Sequence, residues 1–300
     1  MRTNALGKAT ISLCAVLFST TTSAFYLPGV APTTYRANDR VPLNVNHLTP
    51  ALSEKDSQLH SVFSFDYYHP AFHFCRPTDG PPKHMSESLG SILFGDRIFN
   101  SPFELNMLQN ESCKALCEEQ KFDPRSAKFV NRRIWQAYNM NWLIDGLPAG
   151  QPYTDPATET DFTVRGFPLG TIDQEQKPAL HNHFDIVIDY HDAGKQQYRI
   201  VGVLVLPTSR ADSSYKDGKA DCGDGVAEKP LHLNEDQGET GVTWTYSVYW
   251  RPSRTAWATR WDSYLRIYDV KIHWFSLINS SVIVVFLCGT VALHPICLKC

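Results

Sequence analysis

From Trp274 to Leu293 the chain runs without Asp, Glu, Lys or Arg, and "VIVVFL" lies near its centre. As a helix, about 20 residues rise about 30 Å, the thickness of a bilayer's hydrocarbon core. Nothing else limits the fold as sharply, because backbone polar groups inside a bilayer must be satisfied within the segment itself. The stretch predicts one transmembrane α-helix over 273–293. Trp274 stands at its entry, where an amphipathic ring favours the interface. Asn279, Ser280 and Ser281 are its polar exceptions, and they point to a helix that meets other helices.

The opposite end carries a second address. Arg2 and Lys8 precede the apolar run "ATISLCAVLF", which leads into "STTTSAF". This charged, apolar, small order is what a signal peptidase reads. Thr22 and Ala24 supply the small residues, so cleavage is expected after Ala24, with a mature start at Phe25. The two ends together predict a signal peptide over 1–24, a lumenal domain over 25–272, the span over 273–293 and a short cytosolic tail over 294–300. Lys299 alone follows the span among lysines and arginines, too little charge to test the orientation.

The cysteines fit an oxidising compartment. Of eight, Cys14 lies in the signal peptide, and Cys288, Cys297 and Cys300 lie at the membrane end. Cys75, Cys113, Cys117 and Cys222 remain, an even set that predicts two disulfides without fixing their connectivity. "ESCKALCEEQ" reads as helical, and cysteines four apart on a helix are poorly aimed for a bridge. The reading therefore leans to long-range pairs with Cys75 and Cys222. A zinc site is the alternative, but the spacings do not resemble a CxxC pair. "CLKC" resembles a prenylation box only loosely, since Lys299 breaks its aliphatic part. Asn110 in "NES" is an N-glycosylation acceptor, whereas Asn279 in "NSS" falls inside the span.

The body reads as strands with small helices. "HFDIVIDYH" alternates, with Phe184, Ile186, Ile188 and Tyr190 on one face and Asp185, Val187 and Asp189 on the other. "HDAGKQQ" supplies a turn, and "YRIVGVLVLP" is apolar on both faces, as a central strand is. The pair predicts a hairpin. In "VTWTYSVYW", Val242, Trp244, Tyr246, Val248 and Trp250 are expected inward, with Thr243, Thr245 and Ser247 outward. In "DRVPLNVNHL", Val41, Leu43 and Val45 alternate, and Pro42 pushes that strand towards a sheet edge. One helix is expected after Ser86, through "ESLGSILFG". Another begins at Asp123, with Pro124 in its first turn, and runs to about Ala137. "TSRADSSYKDGKADCGDGVAEKP" reads as a polar surface loop. The class is mainly β (α+β): a β-sandwich-like lumenal domain with small helices, then one transmembrane α-helix.

Net charge is −3, which offers no basic patch for nucleic acid. His181, His183, Asp185, Asp189 and His191 share one strand face and form the sharpest candidate metal set, set against a plain solvent-facing side. Trp244, Tyr246, Trp250, Trp257 and Trp261 are read as core and membrane-proximal packing, with sugar stacking as the alternative. "DGKADCGDG" misses the spacing of a calcium loop. No GxSxG, HExxH, P-loop or GxGxxG is present. The expectation is no enzyme, no cofactor, no catalytic metal and no nucleic-acid partner.

Several stretches resemble the nonaspanins, the transmembrane 9 superfamily. They are "FYLPGVAP", "VPLNVNHLT", "DYYHPAFHFCRP", "ESLGSILFGDRIFNSPFELNM", "RGFPLG", "HFDIVIDYH", "RIVGVLVLP", "TYSVYW", "AWATRWDSYL" and "IHWFSLINSSVIVVFL", in that order. The resemblance implies a large lumenal domain followed by nine spans, in endosome and Golgi membranes. It implies a part in sorting and localising client membrane proteins, and no catalytic residue. "LHPICLKC" stands where the family continues with a basic cytosolic loop, so a truncated form is expected. A single-pass lumenal or cell-surface receptor, lectin-like and binding glycans, is the alternative reading.

Overall fold

The computed structural model describes residues 32–52, 58–85, 93, 95–155, 159–216, 219–222, 229–236, 238–265 and 274–297. The expected signal peptide and its cleavage point at Ala24 lie outside these residues. So does nearly all of the helix expected after Ser86.

Six strands form the main sheet: β1 (Glu111–Ala115), β2 (Gly150–Asp155), β3 (Thr160–Arg165), β4 (His183–Gly194), β5 (Gln197–Thr208) and β6 (Thr245–Pro252). Their order across the sheet is β3-β2-β5-β4-β6-β1. β4 and β5 form the antiparallel hairpin that period-two patterning predicts, from His183↔Thr208 to Gly194↔Gln197. Its turn rests on Lys195 and Gln196, both at positive φ (56° and 59°), which matches the twist of the strands. Each such residue costs about 1 kcal/mol, which the long ladder offsets. β6 lies parallel to β4 on the other side, pairing His183↔Thr245 through Tyr190↔Pro252.

Smaller sheets cover the inner face. Leu43–Val45 lies between Trp142–Ile144 and Phe99–Asn100, with Leu147–Pro148 beyond. Tyr138–Met140 lies between Phe167–Pro168 and Thr49–Pro50. Leu43–Val45 is therefore an interior strand, not the edge that Pro42 predicts. Pro42 instead separates it from Arg40–Val41, which pairs elsewhere with Leu105–Asn106. Breaking the strand in two relieves the missing N–H. The core joins the layers at Trp142, whose ring meets Phe103 at 4.6 Å, Phe167 at 4.7 Å and Phe184 at 4.9 Å. Trp142 and Phe184 are almost wholly buried, and burial of such rings contributes about 2 kcal/mol or more each.

Helix α1 (Pro124–Trp135) begins where the sequence places it. Asp123 is its N-cap and accepts a hydrogen bond from the Ser126 N–H. The Ser126 hydroxyl first, and then this backbone bond, hold the Asp123 carboxyl below its ordinary range. The helix ends two residues before the expected Ala137, which turns out at φ 55°. Its buried face carries Ala127, Val130, Asn131 and Ile134. Other expectations change. "ESCKALCEEQ" is not helical: its first half is strand β1, because those residues pair with β6 at the sheet edge. The polar loop after Thr208 contains a short hairpin, Ser214–Lys216 with Lys219–Asp221. Thr243, Thr245 and Ser247 are buried like their apolar neighbours, so both faces at the start of β6 are covered.

A buried ion pair fastens the segment after β6 to the body. Arg260 Nη1 donates to Asp145 Oδ2 at 3.0 Å and to the Ile200 carbonyl at 3.2 Å. Tyr35 donates its hydroxyl to Asp145 Oδ1 at 2.8 Å. The guanidinium lies 4.6 Å above the Trp257 ring. Asp145 itself sits at φ 51°.

Helix α2 (Trp274–Cys297) follows. Its described side chains are those of 277–290, and Leu277, Ile278, Val282, Ile283, Val284, Val285, Phe286 and Leu287 all stand at least half exposed. Among the described residues no helix is long and apolar enough to cross a membrane. The side chains of Trp274 and Leu293, at the ends of the expected span, lie outside the described ones. Asn279 is exposed. Ser281 donates to the Leu277 carbonyl at 2.8 Å and Thr290 to that of Leu287 at 2.8 Å, so these hydroxyls are satisfied within the helix.

Candidate functional site

Both disulfides span distant parts of the chain. Cys75 bonds to Cys117, and Cys113 to Cys222. Cys75 is buried in the aromatic core next to Phe74, whose ring lies 5.0 Å from that of Trp244. Cys113 and Cys222 are half-buried, at the β1 edge of the main sheet. Cys113 has φ 51°, an uncommon conformation for a residue with a side chain, beside an irregularity in the β1–β6 pairing.

The second disulfide closes over a polar layer. His183 is 1% exposed and lies under Cys222, with its Nδ1 3.8 Å from the sulfur. Nδ1 is also 2.8 Å from Thr245 Oγ1. Nε2 lies 3.2 Å from Asp185 Oδ1 and 3.4 Å from Ser247 Oγ. Ser247 Oγ accepts in turn from the Cys113 N–H at 3.2 Å. Asn182, fully buried, donates to the carbonyls of Arg210 and Thr243 and accepts from the Arg210 N–H. Burial pushes the Asp185 carboxyl up. The His183 hydrogen bond and charge, with the Arg210 charge, outweigh it and hold the group below its ordinary range.

This arrangement is no hydrolytic triad. Ser247 and Asp185 meet the same ring nitrogen, whereas a relay needs nucleophile and orienting carboxylate on opposite nitrogens of the base. Thr245 does face the other nitrogen, but it is fully buried and cannot reach a substrate. Of the set His181, His183, Asp185, Asp189 and His191, His183 and Asp185 meet, whereas His181 and Asp189 turn to other partners. His181 turns to the Pro168 carbonyl at 3.0 Å, where burial lowers its pKa. Asp189 forms a two-pronged ion pair with Arg251, at 2.6 and 2.9 Å, across the β4–β6 register. Among the described residues no three His, Cys, Asp or Glu side chains are grouped to hold a metal ion. Of the aromatic set, Trp244 and Tyr246 are core. Trp250 donates to the Gln109 carbonyl at 2.9 Å, and Trp261 is 42% exposed.

An open cavity of about 480 Å³ lies elsewhere, between residues 59–63 and the end of α1. Leu59, Val62 and Phe63 form its apolar rim, and Val62 and Phe63 are 78% and 72% exposed. Arg132, Arg133 and Gln136 line the other side. The Arg133 guanidinium is boxed by Phe129 at 4.6 Å, Phe65 at 4.7 Å and Tyr138 at 5.6 Å. It donates to Gln136 Oε1, and its buried Nε has no partner among the described residues. Burial lowers its pKa. The Tyr138 hydroxyl donates to the Phe63 carbonyl at 2.7 Å and so fixes the rim. Sequence reading missed this cavity. Arginines in the last turn of a helix, such as Arg132 and Arg133, are ordinary complements to its C-terminal dipole, and the rim has no periodic signal.

Asn110 is exposed just before β1, and its Oδ1 accepts from the Trp250 N–H at 2.9 Å. A glycan would attach at Nδ2 and leave that bond in place. Expression through a secretory pathway is expected to give one endoglycosidase-sensitive mobility step, absent in Asn110→Gln. Lack of the step in the native chain would refute the assignment.

The described chain is a β domain closed by two disulfides, followed by an apolar helix whose described side chains are exposed. The chain matches the family model "Endomembrane protein 70" over residues 64–297. It is 43% identical to transmembrane 9 superfamily member 1 of Saccharomyces cerevisiae, across 95% of this chain and 47% of that protein. Human transmembrane 9 superfamily member 4 is 33% identical, across 91% and 44%. Arabidopsis thaliana member 10 is 34% identical, across 90% and 42%. The chain belongs to the transmembrane 9 superfamily and is a membrane protein of that family. It spans about half the length of the curated relatives it matches.

Proposed function

We propose that this chain is a non-enzymatic membrane protein of the endosome and Golgi that sorts and localises other membrane proteins. In this reading 1–24 is removed as a signal peptide, 25–272 is lumenal, 273–293 crosses the bilayer and 294–300 is cytosolic. From Val282 to Leu287 α2 is apolar on all sides and exposed, and a helix apolar all round is stable when buried in protein or in lipid.

The cavity between residues 59–63 and α1 carries the functional reading. It is open, apolar on one side and cationic on the other, whereas the His183 cluster is sealed. Its complement is a lumenal segment of a client membrane protein that bears a carboxylate beside an apolar side chain. The carboxylate meets Arg132 and Arg133, and the apolar group covers Val62 and Phe63. The test is crosslinking in intact membranes, followed by identification of captured membrane proteins. Val62→Ser with Phe63→Ser, and separately Arg132→Glu, are each expected to reduce capture at least about tenfold, the effect of losing one buried anchor. Unchanged capture by both variants overturns the reading. Selective retention of free glycans would replace it with the receptor, lectin-like alternative.

A further inference from the structure

We propose that the Cys113–Cys222 disulfide is a thiol-exchange site, with His183 as its proton carrier and a low-molecular-weight thiol as co-reactant. The inference goes beyond client binding and does not depend on it. Three observations carry it. The two disulfides differ in access: Cys75 is buried in the core and only Cys117 of that pair is half-buried, while Cys113 and Cys222 are both half-buried, at a sheet edge. An imidazole nitrogen lies 3.8 Å from the Cys222 sulfur. The ring is oriented on both sides, by Thr245 at Nδ1 and by Asp185 and Ser247 at Nε2. A disulfide that served only to close a loop would require none of that orientation.

The exchange balances as follows. A thiolate attacks Cys113 Sγ, a new S–S bond forms there, and the Cys113–Cys222 bond breaks. Cys222 leaves with the electron pair and takes the proton from His183 Nδ1, while the Asp185 carboxylate accepts a hydrogen bond from Nε2–H throughout. A second thiol then attacks the mixed disulfide and releases the oxidised thiol pair and the Cys113 thiol. Two thiols are oxidised and one protein disulfide is reduced. In the reverse direction Nδ1 removes the Cys222 proton and makes the attacking thiolate. Once the Cys113–Cys222 bond opens, the hairpin Ser214–Lys216/Lys219–Asp221 is freed from the sheet edge, and solvent reaches the polar layer.

The experiment uses the whole chain in membranes, exposed to reduced glutathione, quenched in acid and labelled with mass-tagged alkylating reagents. Cys113 and Cys222 are expected to label together, at least about tenfold sooner than Cys75 and Cys117, since exchange depends on access and on the leaving thiol. His183→Gln, which keeps a polar group but carries no proton, is expected to slow opening about 100-fold, the lower range for general acid–base catalysis. Asp185→Asn, a positioning change, should slow it less. Protection of Cys75 and Cys117 reports that each variant is folded, and Asp185→Asn carries the comparison if His183→Gln is not. Simultaneous opening of both bonds, earlier opening of Cys75–Cys117, or an unchanged rate in a folded variant overturns the proposal.

Discussion

Replacing Arg260 by Met is expected to cost about 3–5 kcal/mol of folding free energy, the usual penalty for stranding one member of a buried ion pair. Asp145 would keep the Tyr35 hydroxyl but lose its only described cation. The Ile200 carbonyl would lose a donor as well. Neutralising the stranded carboxylate should recover part of the loss. Asn is the right replacement for Asp145, because it tolerates the left-handed backbone found there. Urea unfolding followed by tryptophan fluorescence should show Arg260→Met as the least stable variant. Asp145→Asn added to it should restore about 1–2 kcal/mol. If the double variant is less stable than Arg260→Met alone, uncompensated charge is not the cause.

Removing Cys75–Cys117 through the paired change to Ala is expected to cost about 4 kcal/mol by loop-closure entropy, given the 42-residue separation. Trimming two sulfurs from a packed site adds to that, since Cys75 is 5% exposed. Removal of Cys113–Cys222 closes a longer separation, 109 residues, and on entropy alone should cost slightly more. It empties less of the core, however. Parallel unfolding curves therefore separate the two contributions. A smaller loss at Cys75–Cys117 than at Cys113–Cys222 would show that chain entropy outweighs packing here.

What was legible in the sequence was local. The β4–β5 hairpin announces itself through alternation from Phe184 to Tyr190, and the α1 N-terminus through Asp123 and Pro124. The buried state of Thr245 and Ser247 was not legible. Periodicity reports which residues share a face, and says nothing of a second segment lying across that face. Here the cover comes from Cys222, brought in by a bond to Cys113. "ESCKALCEEQ" failed for the same reason: its helical spacing was overridden by pairing with β6. The His183 contact to Ser247 spans 64 positions and the Arg260 contact to Asp145 spans 115, so neither has a local trace. Asp189 was visible as a charged residue on β4, but its partner Arg251 became apparent only through the parallel register.

The Arg260 clamp also sets a length scale. It fixes the chain to the body through Leu265, and α2 begins at Trp274. Fully extended, the stretch between them reaches no more than about 30 Å. In the proposed reading, with α2 in a bilayer, the β domain stays within that distance of the membrane. Linkers of that reach hold two binding groups at effective concentrations on the order of millimolar. In the proposed reading, a client anchored in the same bilayer would need only weak intrinsic affinity to stay engaged, and a soluble copy of the same segment would be passed over.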